Sequence, residues 1–419
     1  MLKSSSDPER VFSMLRGYMP VLDGYRGVAI LLVLLNHSVS DLAGEFVESG
    51  ECFYKNLMNV GWCGVDAFFV LSGFLITGIL LDTCKQPNFF RNFYARRTLR
   101  IFPIYYGFLG IFLGVIRPLI RTYEYENSLD SSQIWYWFYL ENWKWIFQGS
   151  SDRGPLVHFW SLAVEEHFYL IWPALIYFFP RRLLSWFLGI VIFSAVFFRG
   201  WLLLTNPSNL SVAQAIFVSP LCRVDTLAIG SLIALWMRAE RILPRLLWIS
   251  PILMIVSGIS LSIIFITQGE LDTLNPVVQS VGFSLLAIFF GVLLILSVTQ
   301  PQNSLLARSL SWSPLKGLGT ISYGFYIYHF PILWMLCDRI YEYVGKSFIL
   351  GHLASVFCCG LLTLIVSLLS YYCLEQPILR LKTYFPSKRE DKLSSGVADL
   401  KYEVGSRRVT ESQKVRVEN

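Results

Sequence analysis

The sequence predicts an all-α membrane protein of about ten transmembrane helices with both termini cytoplasmic, on three observations. Hydrophobic residues fill 54% of 419 positions and charged residues only 15%, against roughly 25% charged in an average soluble domain. Apolar runs repeatedly reach the ~20 residues that cross a bilayer, where the strands of a membrane barrel would alternate over about ten. Lys and Arg collect in every second connection between those runs. That clustering assigns the net charge of +6 to cytoplasmic loops and turns it away from nucleic acid.

The runs place spans at 22–39, 61–81, 101–120, 157–179, 183–204, 216–237, 246–267, 277–298, 317–337 and 347–373. Lys3, Arg10 and Arg16 precede the first span, and Lys85, Arg91, Arg96, Arg97 and Arg100 fill the second connection. Arg181 and Arg182, then Arg238, Arg241 and Arg245, then Arg308 and Lys316 mark the fourth, sixth and eighth. The intervening 205–215 and 268–276 hold no basic residue, and the loop 121–156 balances its own with acidic residues such as Glu124, Glu126 and Asp130. Ten spans with both ends inside satisfy the positive-inside rule at each even connection. The expected organisation is a cytoplasmic N-terminal segment 1–20, a membrane domain 21–378 and a charged, Ser-rich, disordered cytoplasmic tail 379–419. The N-terminus is polar to about Met19 and lacks a signal peptide's apolar stretch.

The eight cysteines are scattered, mostly inside apolar runs, and no Cys-x-x-Cys spacing points to a metal. The loop 121–156 is rich in aromatics, including Trp135, Trp137, Trp143 and Trp145. Two readings of it stay open, an interfacial aromatic belt and a platform that stacks sugar rings.

Charges inside a membrane cost at least a few kcal/mol, so each needs a reason. Arg26 and His37 share the first span, about 16 Å apart along its axis and close to one face. Asp66 opens the second span at the expected depth of His37, where a carboxylate could orient an imidazole. Arg96, Arg97 and Arg100 crowd the inner mouth of the third, either as positive-inside anchors or as a polyphosphate site. The fourth span carries Glu165, Glu166 and His167 in succession, so at least one must face protein or water. Arg223 and Asp225 open the sixth span, and Tyr323, Tyr326 and His329 lie along the ninth. The expected layers are a cationic one inside and a mixed one outside, with His37, Asp66, Glu165, Glu166, Arg223, Asp225 and His329.

These same blocks resemble the acyltransferase 3 family of membrane acyltransferases: LDGYRGVAILLVLLNH, GVDAFFVLSGFLI, FYARRTLRIFPIYY, FWSLAVEEHFYLIWP, RVDTLAIGSLIAL, LGTISYGFYIYHFPIL and YYCLEQPILR, from residue 22 to about 380. The resemblance implies ten core helices and acyl-CoA, with acetyl the expected acyl group, as a donor substrate and no permanently bound cofactor. The family's Arg-x10-His motif falls on Arg26 and His37, its basic motif on Arg97 and Arg100, and its Trp-Ser-Leu-x-x-Glu-Glu block on Trp160 to Glu166. His167 departs from the Gln found in many members. With Asp66 and Arg96 added from their positions, the expected catalytic residues are His37, Asp66, Glu165 and Glu166, and the expected donor-binding residues are Arg26, Arg96, Arg97 and Arg100. Trp160, Arg223, Asp225, Tyr323 and His329 are expected to bind a carbohydrate or lipid-linked saccharide acceptor. The protein would then sit in a bacterial inner membrane, and the rival reading is a non-catalytic lipid or saccharide transporter. About forty residues follow the last span, so transfer is expected to finish within the membrane domain.

Overall fold

A computed structural model describes residues 11–12, 15, 17–40, 51–119, 133–148, 154–344 and 347–386, and no strand occurs among them. Among the described residues, ten long helices form the body. They are α1 (Pro20–Ser40), α2 (Gly64–Thr83), α3 (Phe89–Ile111), α4 (Trp160–Phe178), α5 (Arg181–Thr205), α6 (Pro220–Trp236), α7 (Leu243–Gln268), α8 (Phe283–Thr299), α9 (Ser322–Val344) and α10 (Phe348–Ser370). Each corresponds to one predicted span. The largest shift is at α3, which starts about two turns before Arg96, so its arginines lie along a helix rather than in a connection. The ninth run divides, because residues Ser313–Thr320 form a separate short helix before α9.

Seven helices among the described residues are long and apolar enough to cross a membrane by length and composition. The remaining long helices, α1, α4 and α9, are those that carry Arg26 and His37, Glu165 and Glu166, and Tyr323 and His329. Their polar residues lower the hydropathy, although α4 still exposes apolar side chains such as Leu170 and Ile171. The chain is an integral membrane protein.

α2 is the axis of the bundle and packs against α1, α4, α6 and α8. The helices α5, α7 and α10 expose most of their apolar surface. α2 and α6 meet backbone to backbone. A Cβ on Gly73 would lie 2.0 Å from the Leu227 carbonyl oxygen, and one on Gly230 2.0 Å from that of Val70. Within a bilayer, small residues at a crossing let helices gain close packing where no hydrophobic force drives them together. Gly73→Leu should therefore destabilise the protein by about 1–3 kcal/mol or more, read as a lowered thermal midpoint in detergent; an unchanged midpoint would contradict the close crossing.

Parts of both chain ends are described. Val11 and Leu15 are buried against the core near α1, so this part of the N-terminal segment is packed. Residues 380–384 form a helical turn after α10; the rest of the expected tail, from 387, lies outside the described residues, as do residues 1–10.

Within the aromatic loop, residues 120–132 and 149–153 lie outside the described residues, and 133–148 folds as two short helices. Tyrosines of α3 pin it down. Tyr105 donates to the Tyr136 carbonyl at 2.8 Å and Tyr106 to that of Trp137 at 3.0 Å, while Tyr105 stacks on Tyr139 at 4.1 Å. Tyr136, Tyr139 and Trp145 are buried and Trp145 lines a cavity, whereas Trp137, Phe138 and Phe147 stay exposed. Glu141 is buried there with neither oxygen partnered, and burial pushes its carboxyl well above the usual range. The cysteines are all free among the described residues.

Candidate active site

Two cavities lie back to back between α1, α2, α4 and α9. The first is cationic and has a volume of ≈220 Å³. Arg26 from α1 and Arg97 and Arg100 from α3 line it, together with Ser72, Glu165, Glu166, Tyr169 and Tyr323. Arg26 is steadied by Asp23 at 2.6 Å, one helical turn back. Glu165 accepts from Ser72 Oγ at 2.6 Å and from Tyr169 OH at 3.1 Å. Arg97 stacks over the Tyr169 ring at 5.5 Å. Tyr323 donates to the Ile101 carbonyl, tying α9 to α3.

Arg97 and Arg100 also line a neighbouring hollow with Arg96 and Lys382. Arg96 donates to the carbonyls of Lys382 and Phe385, so it fastens the turn after α10 and contributes charge to that hollow. Cationic surface thus runs from the end of the chain's last described turn up to Glu165.

The second cavity is larger, ≈510 Å³, within the range of small-ligand sites. His37, His158, Trp62, Trp145 and Trp160 line it, with Asn36, Lys55, Glu270 and Asp272 among its polar groups. At its rim, burial and the adjacent Asp272 raise the Glu270 carboxyl above its ordinary range, against the pull of Lys55. Aromatic faces beside amide and carboxylate groups suit a polyhydroxylated ligand.

Three histidine rings converge at its inner wall. His37 Nδ1 lies 2.7 Å from His329 Nε2, with the ring centres 5.0 Å apart and the planes 25° from parallel, so the rings meet edge to edge along that contact. His329 Nδ1 lies 2.7 Å from the Tyr326 carbonyl oxygen. His158 is 5.2 Å from His329, ring to ring, and 6.4 Å from His37. Val65 and Tyr326 line both cavities and so stand between them. Tyr326 OH contacts Ser161 Oγ at 2.5 Å and donates to the His158 carbonyl at 3.1 Å.

The profile of a family of acyltransferase domains matches residues 19–372, most of the chain and all the cavity-lining helices. The chain belongs to the acyltransferase 3 family. Peptidoglycan O-acetyltransferase OatA of Listeria monocytogenes is 31% identical over 335 residues, covering 76% of this chain and 50% of that protein. O-acetyltransferase OatA of Staphylococcus aureus is 26% identical over 377 residues, covering 86% of this chain and 57% of its own length. The chain spans about half the length of the curated relatives it matches. No solved structure matches it.

Within this acyltransferase 3 domain the Arg and His of the first helix reach separate cavities, as their spacing along α1 requires. Several expected partners do not. Asp66 does not serve His37: its carboxylate takes Arg223 Nη2 at 2.7 Å and Thr226 Oγ1 at 3.4 Å. Asp225 takes Arg199 at 2.9 Å and Ser284 at 2.6 Å. Arg223 and Asp225 are fully buried in these pairs and line neither cavity, which corrects the expectation that they bind acceptor. Glu165 and Glu166 face the arginines instead of His37. Trp160 lines the histidine cavity as expected, whereas Tyr323 faces the arginine cavity and His329 bonds His37. His167 lines neither cavity and lies 6.4 Å from the Trp143 ring.

Sequence reasoning missed three residues. His158 stands at the head of the block HFWSLAVEEHF, at the same end of its helix as the other site groups. His352 of α10 contacts Ser38 at 2.9 Å and Tyr54 at 2.6 Å, bracing the end of α1 beside His37. Arg199, a lone charge inside the fifth apolar run, demanded a buried partner and has Asp225.

Proposed function

We propose that this domain transfers an acyl group, acetyl by preference, from acyl-CoA bound at the arginine cavity to a saccharide hydroxyl in the histidine cavity. The observation that carries the reading is the pairing of a cationic cavity and a histidine-lined cavity across Val65 and Tyr326. The arginines supply the charge-assisted, forked donors that phosphates of a CoA need. They face the cytoplasm in this reading, following the positive-inside pattern, and the histidine cavity faces out. The thioester reaches the partition, and His37 takes the proton of the acceptor hydroxyl as that oxygen attacks the thioester carbonyl. Collapse of the tetrahedral intermediate expels the CoA thiolate, which recovers the proton from His37. The names of the relatives support a glycan as acceptor, and Trp62, Trp145 and Trp160 give its sugar rings apolar faces.

The test is transfer of labelled acetyl from acetyl-CoA to a glycan fragment by the protein in sealed vesicles. Arg97→Ala and Arg100→Ala should each raise the KM for acetyl-CoA about 10–100-fold, the worth of a hydrogen bond to a charged group of ~1.5–3 kcal/mol. Unchanged donor KM in both variants would remove the donor site, and glycan crossing the bilayer unmodified would favour the transporter.

A further inference from the structure

The hydrogen-bond chain behind His37 fixes which of its nitrogens does the chemistry. A carbonyl oxygen can only accept, so the 2.7 Å contact to the Tyr326 carbonyl requires a proton on His329 Nδ1. Neutral His329 then presents Nε2 as an acceptor. That atom lies 2.7 Å from His37 Nδ1, which must be the donor. The lone pair of His37 is thereby assigned to Nε2.

We propose that His329 is a positioning residue that holds His37 in the Nδ1–H tautomer and supports the positive ring formed when Nε2 takes the acceptor's proton. The inference rests on the reading of His37 as general base. It gives His329 the part a carboxylate plays in a Ser-His-Asp arrangement, here filled by an imidazole anchored on a backbone carbonyl. The two carboxylates the sequence offered for this part are committed elsewhere, Asp66 to Arg223 and Glu165 to Ser72 and Tyr169. His329 is also held against rotation: it is fully buried and stacks on Phe325 one turn back along α9, with an interplanar angle of 16°. A second imidazole keeps net charge out of a low-dielectric wall until the reaction creates it.

Two measurements on the full chain in nanodiscs test this. In protein carrying 15N-labelled histidine, the side-chain resonances of His37, assigned by their loss in a His37 variant, should show a protonated Nδ1 and an unprotonated Nε2. His329→Leu, which removes the acceptor, should release His37 into the Nε2–H tautomer. It should lower kcat on the order of 10²-fold or more with the KM for acetyl-CoA nearly unchanged. His329→Gln, whose amide oxygen can accept from Nδ1–H, should restore the tautomer and recover at least about tenfold of the lost rate. A protonated Nε2 in the wild type overturns the proposal, as does wild-type kcat in His329→Leu or equal loss in the Leu and Gln variants. Should His329→Leu fail to fold, the wild-type tautomer and the Gln variant still decide. If His37→Ala itself keeps full transfer, the general-base reading has failed, whereas an active-site loss in His37→Ala with an indifferent His329→Leu rejects this inference alone.

Discussion

Replacing His37 by alanine should lower acyl transfer by about 10²–10⁴-fold, the usual contribution of a positioned general base, while the protein stays folded in the membrane. Loss of the bond to His329 Nε2 costs about 1–3 kcal/mol, a change the fold should survive. The helix contacts of α1 are made elsewhere, by Tyr25 to the Phe290 carbonyl and by Asn36 to Asn59. His158 is the rival base, since it lines the same cavity. Its ring nitrogens make no hydrogen bond of good geometry to a side chain among the described residues, so no second imidazole orients it as His329 orients His37. His158→Gln should accordingly lose much less than His37→Ala. Initial rates at saturating acetyl-CoA measure both, beside thermal midpoints; a larger loss at His158 would move the base to that residue.

The ten helices were legible because length and apolarity along the chain are one-dimensional properties, and bilayer thickness imposes them directly. Depth was legible for the same reason. The eleven helical steps from Arg26 to His37 put them at different levels, and they line different cavities. Rotation about each helix axis was not legible. Asp66 and His37 were expected at one depth, yet Asp66 turns towards α6 and Arg223, 157 positions away in sequence. Glu165 similarly turns to Ser72 and the arginines. Which face a buried charge presents depends on which helix packs beside it, and the apolar pattern of a span buried on most sides carries no phase to reveal that. Arg199 could have been found by the rule already applied to the other spans, because an intramembrane guanidinium has to be paired.

Single removal of either partner in the Asp66–Arg223 pair should cost stability rather than chemistry. Both side chains are fully buried and joined at 2.7 Å, with the Arg223 guanidinium 4.0 Å from the centre of the Phe283 ring. Arg223→Leu leaves an uncompensated carboxylate and Asp66→Leu an uncompensated guanidinium, and breaking a buried pair in this way costs about 3–5 kcal/mol. The double variant Asp66→Leu/Arg223→Leu removes both charges and should lie closer to the wild type than either single change, since a buried pair and an apolar replacement are often near balance. Arg199, Asp225 and Ser284 form their own cluster and remain in place in each variant. Thermal unfolding in detergent measures the cycle, and transfer per folded molecule measures the chemistry. If Asp66 instead oriented His37, Asp66→Asn would abolish transfer at a nearly unchanged midpoint, and the double variant would be as inactive as the single. The stability cycle therefore separates a carboxylate that holds two helices together from one that serves the reaction.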